Sequence, residues 1–454
     1  MPLRLIVSLA LVLLVSWTWP GPAAAQGPAA AVGADDLARF SIPPVGLRAR
    51  DLAVVINDAD PFSVEVGRYY VAKRGIASQH VVHVSFAPTG VMSFGDWQRV
   101  KAVLDARVGP DVQAYALAWT LPFRVECQSV TTAFALGFDP AAYCAEGCQT
   151  TKMSPYFNTR GSAPFTEHRI RPAMLLAGKD VASAKRLIDR GLRSDESWPE
   201  GKAYLQSTSD GGRNVRAQTY ERVRASIGPA YPIEQVDADV LEGRTDVMFR
   251  FTGAAVVPAI ASNHFLDGAI ADHLTSHGGE LWGGQQTIAT EWTDAGATGS
   301  YGAVIEPCNF RQKFPDIGVA MAHYLAGESL VEAYWKSVLM PGQGVFVGDP
   351  LARPFGGVRI GRVGTTTVMK TRSLQPGRYI VETAPSQIGP FRPTGVLTAA
   401  GFGVREMKLP DGESRYFRLR LAPDAPRDAA SSGGVPAVSA PATSVPPPSS
   451  SGPD

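Results

Sequence analysis

The chain has almost no charge imbalance: 43 Lys and Arg stand against 42 Asp and Glu, a formal net charge of +1 over 454 residues. It also lacks dense Lys/Arg runs. Proteins that bind polyanions or membrane surfaces concentrate positive charge on one face, so nucleic acid is not an expected partner. Phosphate and nucleotide signatures are missing too. There is no Walker A loop, no G-x-G-x-x-G after the first strand-like segment, no G-x-S-x-G elbow and no C-x-x-C. Nothing therefore points to phosphoryl, nicotinamide, serine-hydrolase or dithiol chemistry, and no cofactor is expected. Histidine is scarce, at seven residues, and cysteine scarcer, at four. His273 and His277 are spaced i,i+4, but Leu274, Thr275 and Ser276 separate them where a zincin has a Glu, so no metal site is expected.

Long apolar runs are confined to the beginning, MPLRLIVSLALVLLVSWTWPGPAAAQ. Arg4 is a charged leader, Leu5 to Val15 an apolar core, and Ala23-Ala24-Ala25 a small-residue cleavage site before Gln26. That order is a secretory signal peptide over residues 1–25, too short and wrongly flanked for a membrane span of ~20 residues. No cysteine follows the site to take a lipid. The expectation is an exported chain, periplasmic or extracellular, with no stable membrane anchor.

What is present is an alternation. DLAVVIND (51–58), VVHVSF (81–86), AYALAWTLPF (114–123), AMLLAG (173–178), KAYLQSTSD (202–210), DVMFRFTG (246–253) and GVFVGDP (344–350) read as buried strands. Helical patterns separate them at 61–75, 93–109, 180–195, 214–228, 268–279 and 287–296, with two more near 317–326 and 329–338. A mostly parallel sheet covered on both faces, a three-layer α/β sandwich over 46–355, is the fold this predicts. Residues 26–45 form an Ala/Gly/Pro-rich lead-in expected to be flexible. Residues 124–170 are a loop-rich insertion. Residues 356–423 alternate polar and apolar and carry QPG and PDG turns, which predicts a small antiparallel β-sandwich. Residues 424–454 are Ala, Pro, Ser and Gly without a core-forming pattern, and read as a disordered tail.

Candidate sites follow from topology, because ligands of open α/β sheets bind outside the carboxyl ends of the strands. Those ends carry Asn57, Asp58 and Asp60, then Arg124 and Glu126, then Thr252, then Glu306, Cys308 and Asn309. Asn57, Asp58, Arg124, Glu306 and Asn309 are the binding candidates. Asn57-Asp58-Ala59-Asp60-Pro61 also reads as an Asx turn with an N-cap opening a helix. Cys308 follows Ala303-Val304-Ile305, a short apolar run that Pro307 should end. It is a nucleophile, half of a disulfide or a small buried hydrophobe. As a nucleophile it needs a histidine base, for which His277 and His273 are the candidates. Export makes up to two disulfides the expectation for four cysteines. Cys144 and Cys148 lie close enough to bridge locally, which leaves Cys127 and Cys308 as partners or as free thiols.

The stretches AVVINDADPFSVEVGRYYVAKRGI, LAWTLPFRVECQSVTTAF, GAIADHLTSHGGEL, GATGSYGAVIEPCNFRQKFP and EAYWKSVLMPGQGVFVGDPLARPF resemble a family of exported bacterial proteins found in genomes with exosortase sorting systems. That resemblance covers about 51–355 and implies a context, not an activity. More distantly, 246–350 is similar to the closing half of gingipain-type cysteine peptidases, which have a caspase-like fold. There, one strand ends in a Gly-His-Gly turn and the next in the nucleophilic Cys, and a small immunoglobulin-like domain often follows.

Two alignments are open. One sets Phe251-Thr252-Gly253 at the Gly-His-Gly position and the nucleophile near Thr275 to Leu281, which leaves no dyad. The other pairs His277 with Cys308 and requires 268–276 to be a strand; its helical apolar spacing favours the first. The resemblance thus implies a caspase-like scaffold without a recognisable dyad, binding a peptide or glycan in protein sorting or exopolysaccharide processes. The alternative is an exported cysteine hydrolase using Cys308 with His277 or His273, and Gly278 and Gly279 as an oxyanion site.

Overall fold

The computed structural model describes residues 39–42, 45–145, 148–363, 366–374, 377–400, 403–408 and 416–422. The expected signal peptide and C-terminal tail lie outside the described residues, as does most of the lead-in.

Ten strands form the central sheet: β1 (Leu52–Asn57), β2 (Val81–Val84), β3 (Ala114–Leu117), β4 (Ala173–Leu175), β5 (Lys202–Ser207), β6 (Ile233–Asp237), β7 (Val247–Gly253), β8 (Phe265–Leu274), β9 (Gly299–Ala303) and β10 (Gly344–Gly348). Their order across the sheet is β6-β5-β7-β8-β9-β10-β4-β3-β1-β2. The strands from β6 to β9 pair in parallel with one another, as do those from β4 to β2, and β10 is antiparallel to β9. Every residue of β1, β7 and β9 is buried. Such two-sided burial is why the strands read as continuous apolar runs.

Helices flank the sheet on both faces: α1 (Pro61–Arg74), α2 (Phe94–Arg107), α3 (Val130–Leu136), α4 (Pro140–Tyr143), α5 (Pro164–His168), α6 (Val181–Ser194), α7 (Tyr220–Ile227), α8 (Ala289–Asp294), α9 (Ile317–Leu325) and α10 (Leu330–Ser337). Their ends follow local chemistry. Asp60 caps α1 by accepting from the Phe62 N–H, Pro61 takes the first helical position, and Gly75 closes the helix at φ +64°. Ser93 caps α2 through the Asp96 N–H. Trp292 of α8 packs beside His273 on one face of β8. Tyr334 of α10 and Arg216, just before α7, meet Asp272 on the other face. The result is the expected three-layer α/β sandwich.

Past the sheet, β11 (Val358–Val363), β12 (Thr366–Thr371) and β15 (Arg405–Lys408) form one small antiparallel sheet. The other contains β13 (Gly377–Ala384), β14 (Arg392–Ala399) and β16 (Tyr416–Leu421). Met369, Tyr379, Val381, Phe417 and Leu419 share a separate core in this β-rich segment. Arg39–Ser41, inside the lead-in expected to be flexible, instead pair in parallel with β16.

Three other expectations are corrected. Residues 268–279 are not a helix: Phe265–Leu274 is strand β8, buried from Gly268 onward. A strand buried on both faces loses its two-residue alternation, so apolar spacing there imitates a helix. The strand before Cys308 is Gly299–Ala303 rather than Ala303-Val304-Ile305, because its glycines and serine pair tightly between two neighbours despite weak strand propensity. The insertion at 124–170 is less irregular than it reads, since α3 is almost wholly buried.

Candidate functional site

Val130 N–H donates to Phe123 O beyond β3, and Thr131 and Thr132 at the start of α3 donate to Gly344 O and Pro341 O. Gly344 pairs with Ala303, the last residue of β9. The turn after β8 and the loop after β9 therefore share an edge with the insertion that follows β3.

On that edge His277 stands three residues past β8 and Cys308 five past β9, at the ends of neighbouring strands. Glycines make the approach possible. The Gly279 N–H donates to Ala303 O at 2.7 Å. A Cβ on Gly302 would stand 2.2 Å from the Gly278 carbonyl carbon, a clash of backbone with backbone that nothing can relieve. The strand demanded by the His277–Cys308 alignment is thus present.

The thiol that alignment needs is not. Cys308 is bonded to Cys148, and Cys127 to Cys144. The pairing differs from the local Cys144–Cys148 bridge expected from sequence. Cys144 is the C-cap of α4, and its sulfur meets Cys127 between the short strands Arg124–Val125 and Gln128–Ser129. Cys148 is then the residue that reaches the end of β9. Cys308 takes the left-handed backbone (φ +54°), and its N–H donates to Glu306 Oε1 at 2.7 Å. The neighbouring Asn309 is exposed.

His273 points into the sheet's helix-covered face, wholly buried, beside Thr252 on β7. The Trp292 indole N–H donates to its Nδ1 at 3.0 Å, which places the ring proton on Nε2. Burial, with Arg216 adding to it, lowers the imidazole to about 3. The ring is neutral and out of a substrate's reach. Its ordinary value in an unfolded chain is about 6.5, so between there and about pH 3 the unfolded chain holds a proton the folded one does not. Stability is therefore expected to fall on acidification through that window, by about 1.4 kcal/mol per pH unit from this ring. Urea unfolding of the parent and of His273→Gln at pH 7 and pH 4.5 checks it. The variant should lose less on acidification, and equal losses would show that the folded ring takes up the proton.

His277 is different. Its ring is partly exposed, with Nδ1 3.2 Å from Glu280 Oε1. Its N–H donates to Gln286 Oε1 at 2.8 Å, and that same oxygen accepts from Thr275 Oγ1, which in turn accepts from Arg213 Nε. This row of Arg213, Thr275 and Gln286 across the ends of β5 and β8 was not foreseen, since it joins residues from separate loops. Trp282 was also missed. It sits in the glycine-rich loop after β8 with 70% of its surface exposed, while its neighbour Leu281 is buried and anchors the loop. An aromatic residue between Leu281 and Gly283-Gly284 is the signal that marks it. Lys313, beyond Cys308, is buried beside Phe310, and burial lowers its ammonium to about 8.

The other candidates stand elsewhere. β1 is four strands from β9, about 19 Å at about 4.8 Å per step. Asn57 is buried there, binding the Phe86 backbone through both ends of its amide and taking the Ala59 N–H in an Asx turn. Asp58 is exposed and paired with His83, and Asp60 is the cap of α1. Arg124 and Glu126 lie in the insertion, where Glu126 accepts from the Phe94 N–H. Among the described residues, no group of three or more His, Cys, Asp or Glu side chains could hold a metal ion.

Fold and site together define an α/β protein whose Cys148–Cys308 disulfide ties the 124–170 insertion to the end of β9. The Arg-specific cysteine proteinase gingipain R, known from a crystal structure, is similar to this chain at a TM-score of 0.37 and 13% identity, over 82% of this chain and 94% of that one. No family model and no curated protein sequence matches the chain.

Proposed function

We propose that the protein is an exported envelope protein that binds a peptide or glycan in the strand-end cleft and does not work as a cysteine hydrolase. The Cys148–Cys308 disulfide carries this reading: the sulfur beside the His277 turn is spent, and no thiolate forms there. Trp282 supports the choice of ligand, because an exposed indole stacks on sugar rings and on apolar side chains. Arg213, Gln286 and Glu280, grouped around Thr275 and His277, supply the few polar groups that orient such ligands. Two disulfides fit an oxidising compartment. A setting in protein sorting or exopolysaccharide handling is part of the proposal and rests on the sequence resemblance alone.

The hydrolase alternative draws on the neighbouring strand ends of His277 and Cys308, and it requires the disulfide to be opened first. Alkylation of the mature, unreduced protein followed by mass spectrometry separates the two. The expected result is no alkylated cysteine. Ready labelling of Cys308 at mildly acidic pH would overturn the binding reading. On peptide and glycan arrays, Trp282→Ala is expected to weaken the strongest ligand by about tenfold, on the scale of one stacked aromatic anchor.

A further inference from the structure

Near the amino ends of β3 and β4 is a pocket of about 460 Å³. Its walls come from three helix ends: Lys101 and Asp105 on α2, Phe134 and Leu136 on α3, and Phe165 with Arg169 at α5. Tyr115 of β3 and Arg171, just before β4, complete it.

The charge is lopsided, with three cations against one carboxylate. Asp105 is already paired with Lys101 on the same helix. Arg171 is fixed from behind: its Nε donates to Val112 O and its Nη2 to Gly109 O, both at 3.0 Å, and its guanidinium lies flat on Phe165 at 3.4 Å. Helix carboxyl ends favour nearby cations on their own account, so the charges alone identify nothing. Tyr115 is a second and independent observation. It is 1% exposed and lines the pocket beside Arg171, which can only donate to its hydroxyl, and among the described residues the Tyr115 O–H reaches no acceptor. A buried O–H left without an acceptor is unfavourable, and an acceptor in the pocket would remove that cost.

We infer that this pocket binds the carboxylate of a molecule with an apolar body, taking the anion on Tyr115 Oη, Arg171 and Lys101 and the body against Phe134, Leu136 and Phe165. An ionised carboxylate suits the arrangement because it only accepts, with two oxygens for several donors. Two sources share that chemistry: a small aryl-alkyl acid, or the free C-terminus of a peptide ending in an apolar residue.

Calorimetric titration of the mature chain with 3-phenylpropionate, with a tripeptide Ala-Ala-Phe bearing a free C-terminus, and with the amide of each tests the inference. At least one acid is expected to bind, and its amide to bind more weakly by tenfold or more. Tyr115→Phe keeps the ring and its packing, and should weaken the acid by about tenfold, the 1.4 kcal/mol scale of one hydrogen bond to a charged group. Lys101→Glu, on the surface of α2, should weaken it further without unfolding the chain. Binding of the small acid alone or of the peptide alone identifies the source. Binding by neither, equal binding of acid and amide, or indifference to Tyr115→Phe overturns the inference.

Discussion

Serine at both Cys148 and Cys308 is expected to lower the unfolding free energy by about 3–5 kcal/mol, more than serine at Cys127 and Cys144 does. The two disulfides differ in what they close. Cys148 and Cys308 are 160 residues apart, whereas Cys127 and Cys144 are separated by 17. In the chain-entropy account, restriction of the unfolded state is worth about 5 kcal/mol for the longer loop and about 3 kcal/mol for the shorter. The longer bridge also holds the insertion against the end of β9, so its loss should loosen the insertion there. Guanidinium denaturation of the two double variants, without reductant, checks the ranking. The reverse order would mean that local geometry near Cys127 outweighs loop closure.

Asp349→Asn is expected to cost about 3–5 kcal/mol, although it alters one side chain by a single group. Asp349 follows β10 and is fully buried. It accepts from the Tyr70 hydroxyl at 2.9 Å and from Arg74 Nε at 3.1 Å, with Arg74 Nη2 closer still. Asp195 is the second partner of Arg74. Helix α6 crosses so near that a Cβ on Gly191 would stand 2.1 Å from Asp349 Oδ2. Neutralising Asp349 leaves a nearly buried guanidinium with one carboxylate where it had two. Replacing both partners should be gentler, because apolar side chains of similar volume need no counter-charge. The urea midpoint of Arg74→Met with Asp349→Leu and Asp195→Asn, which removes all three charges, is therefore expected to lie above that of Asp349→Asn. A lower midpoint would show that the pair contributes through its geometry as well as its charge.

The parts of the fold that could be read in the sequence were those with local chemistry. Asp60, Ser93 and Gly75 sit at the ends of the helices read at 61–75 and 93–109. The β-branched runs 52–57 and 247–253 are strands. Legibility failed where tertiary burial overrides local pattern. Residues 265–274 are covered on both faces, so His273 fell on a notional helix and its burial beneath Trp292 was invisible. Edge strand β6, Ile-Glu-Gln-Val-Asp, is half polar because one of its sides is unpaired. At the candidate site, His277 and Cys308 were legible as residues and their neighbouring strand ends as a possibility. The disulfide was not, since four cysteines permit three pairings and spacing does not choose among them. The Arg213–Thr275–Gln286 row depends on three loops meeting, which no local window contains.

The cross-link at Cys308 also bears on how this protein is prepared. Expression in a reducing cytosol yields a chain with four thiols, one of them next to the His277 turn. Oxidative folding yields a chain in which all four are tied up. Esterase or peptidase turnover seen only in samples kept under reductant would then be a property of the production host and buffer, and the disulfide-bonded chain should be judged from material folded in an oxidising compartment.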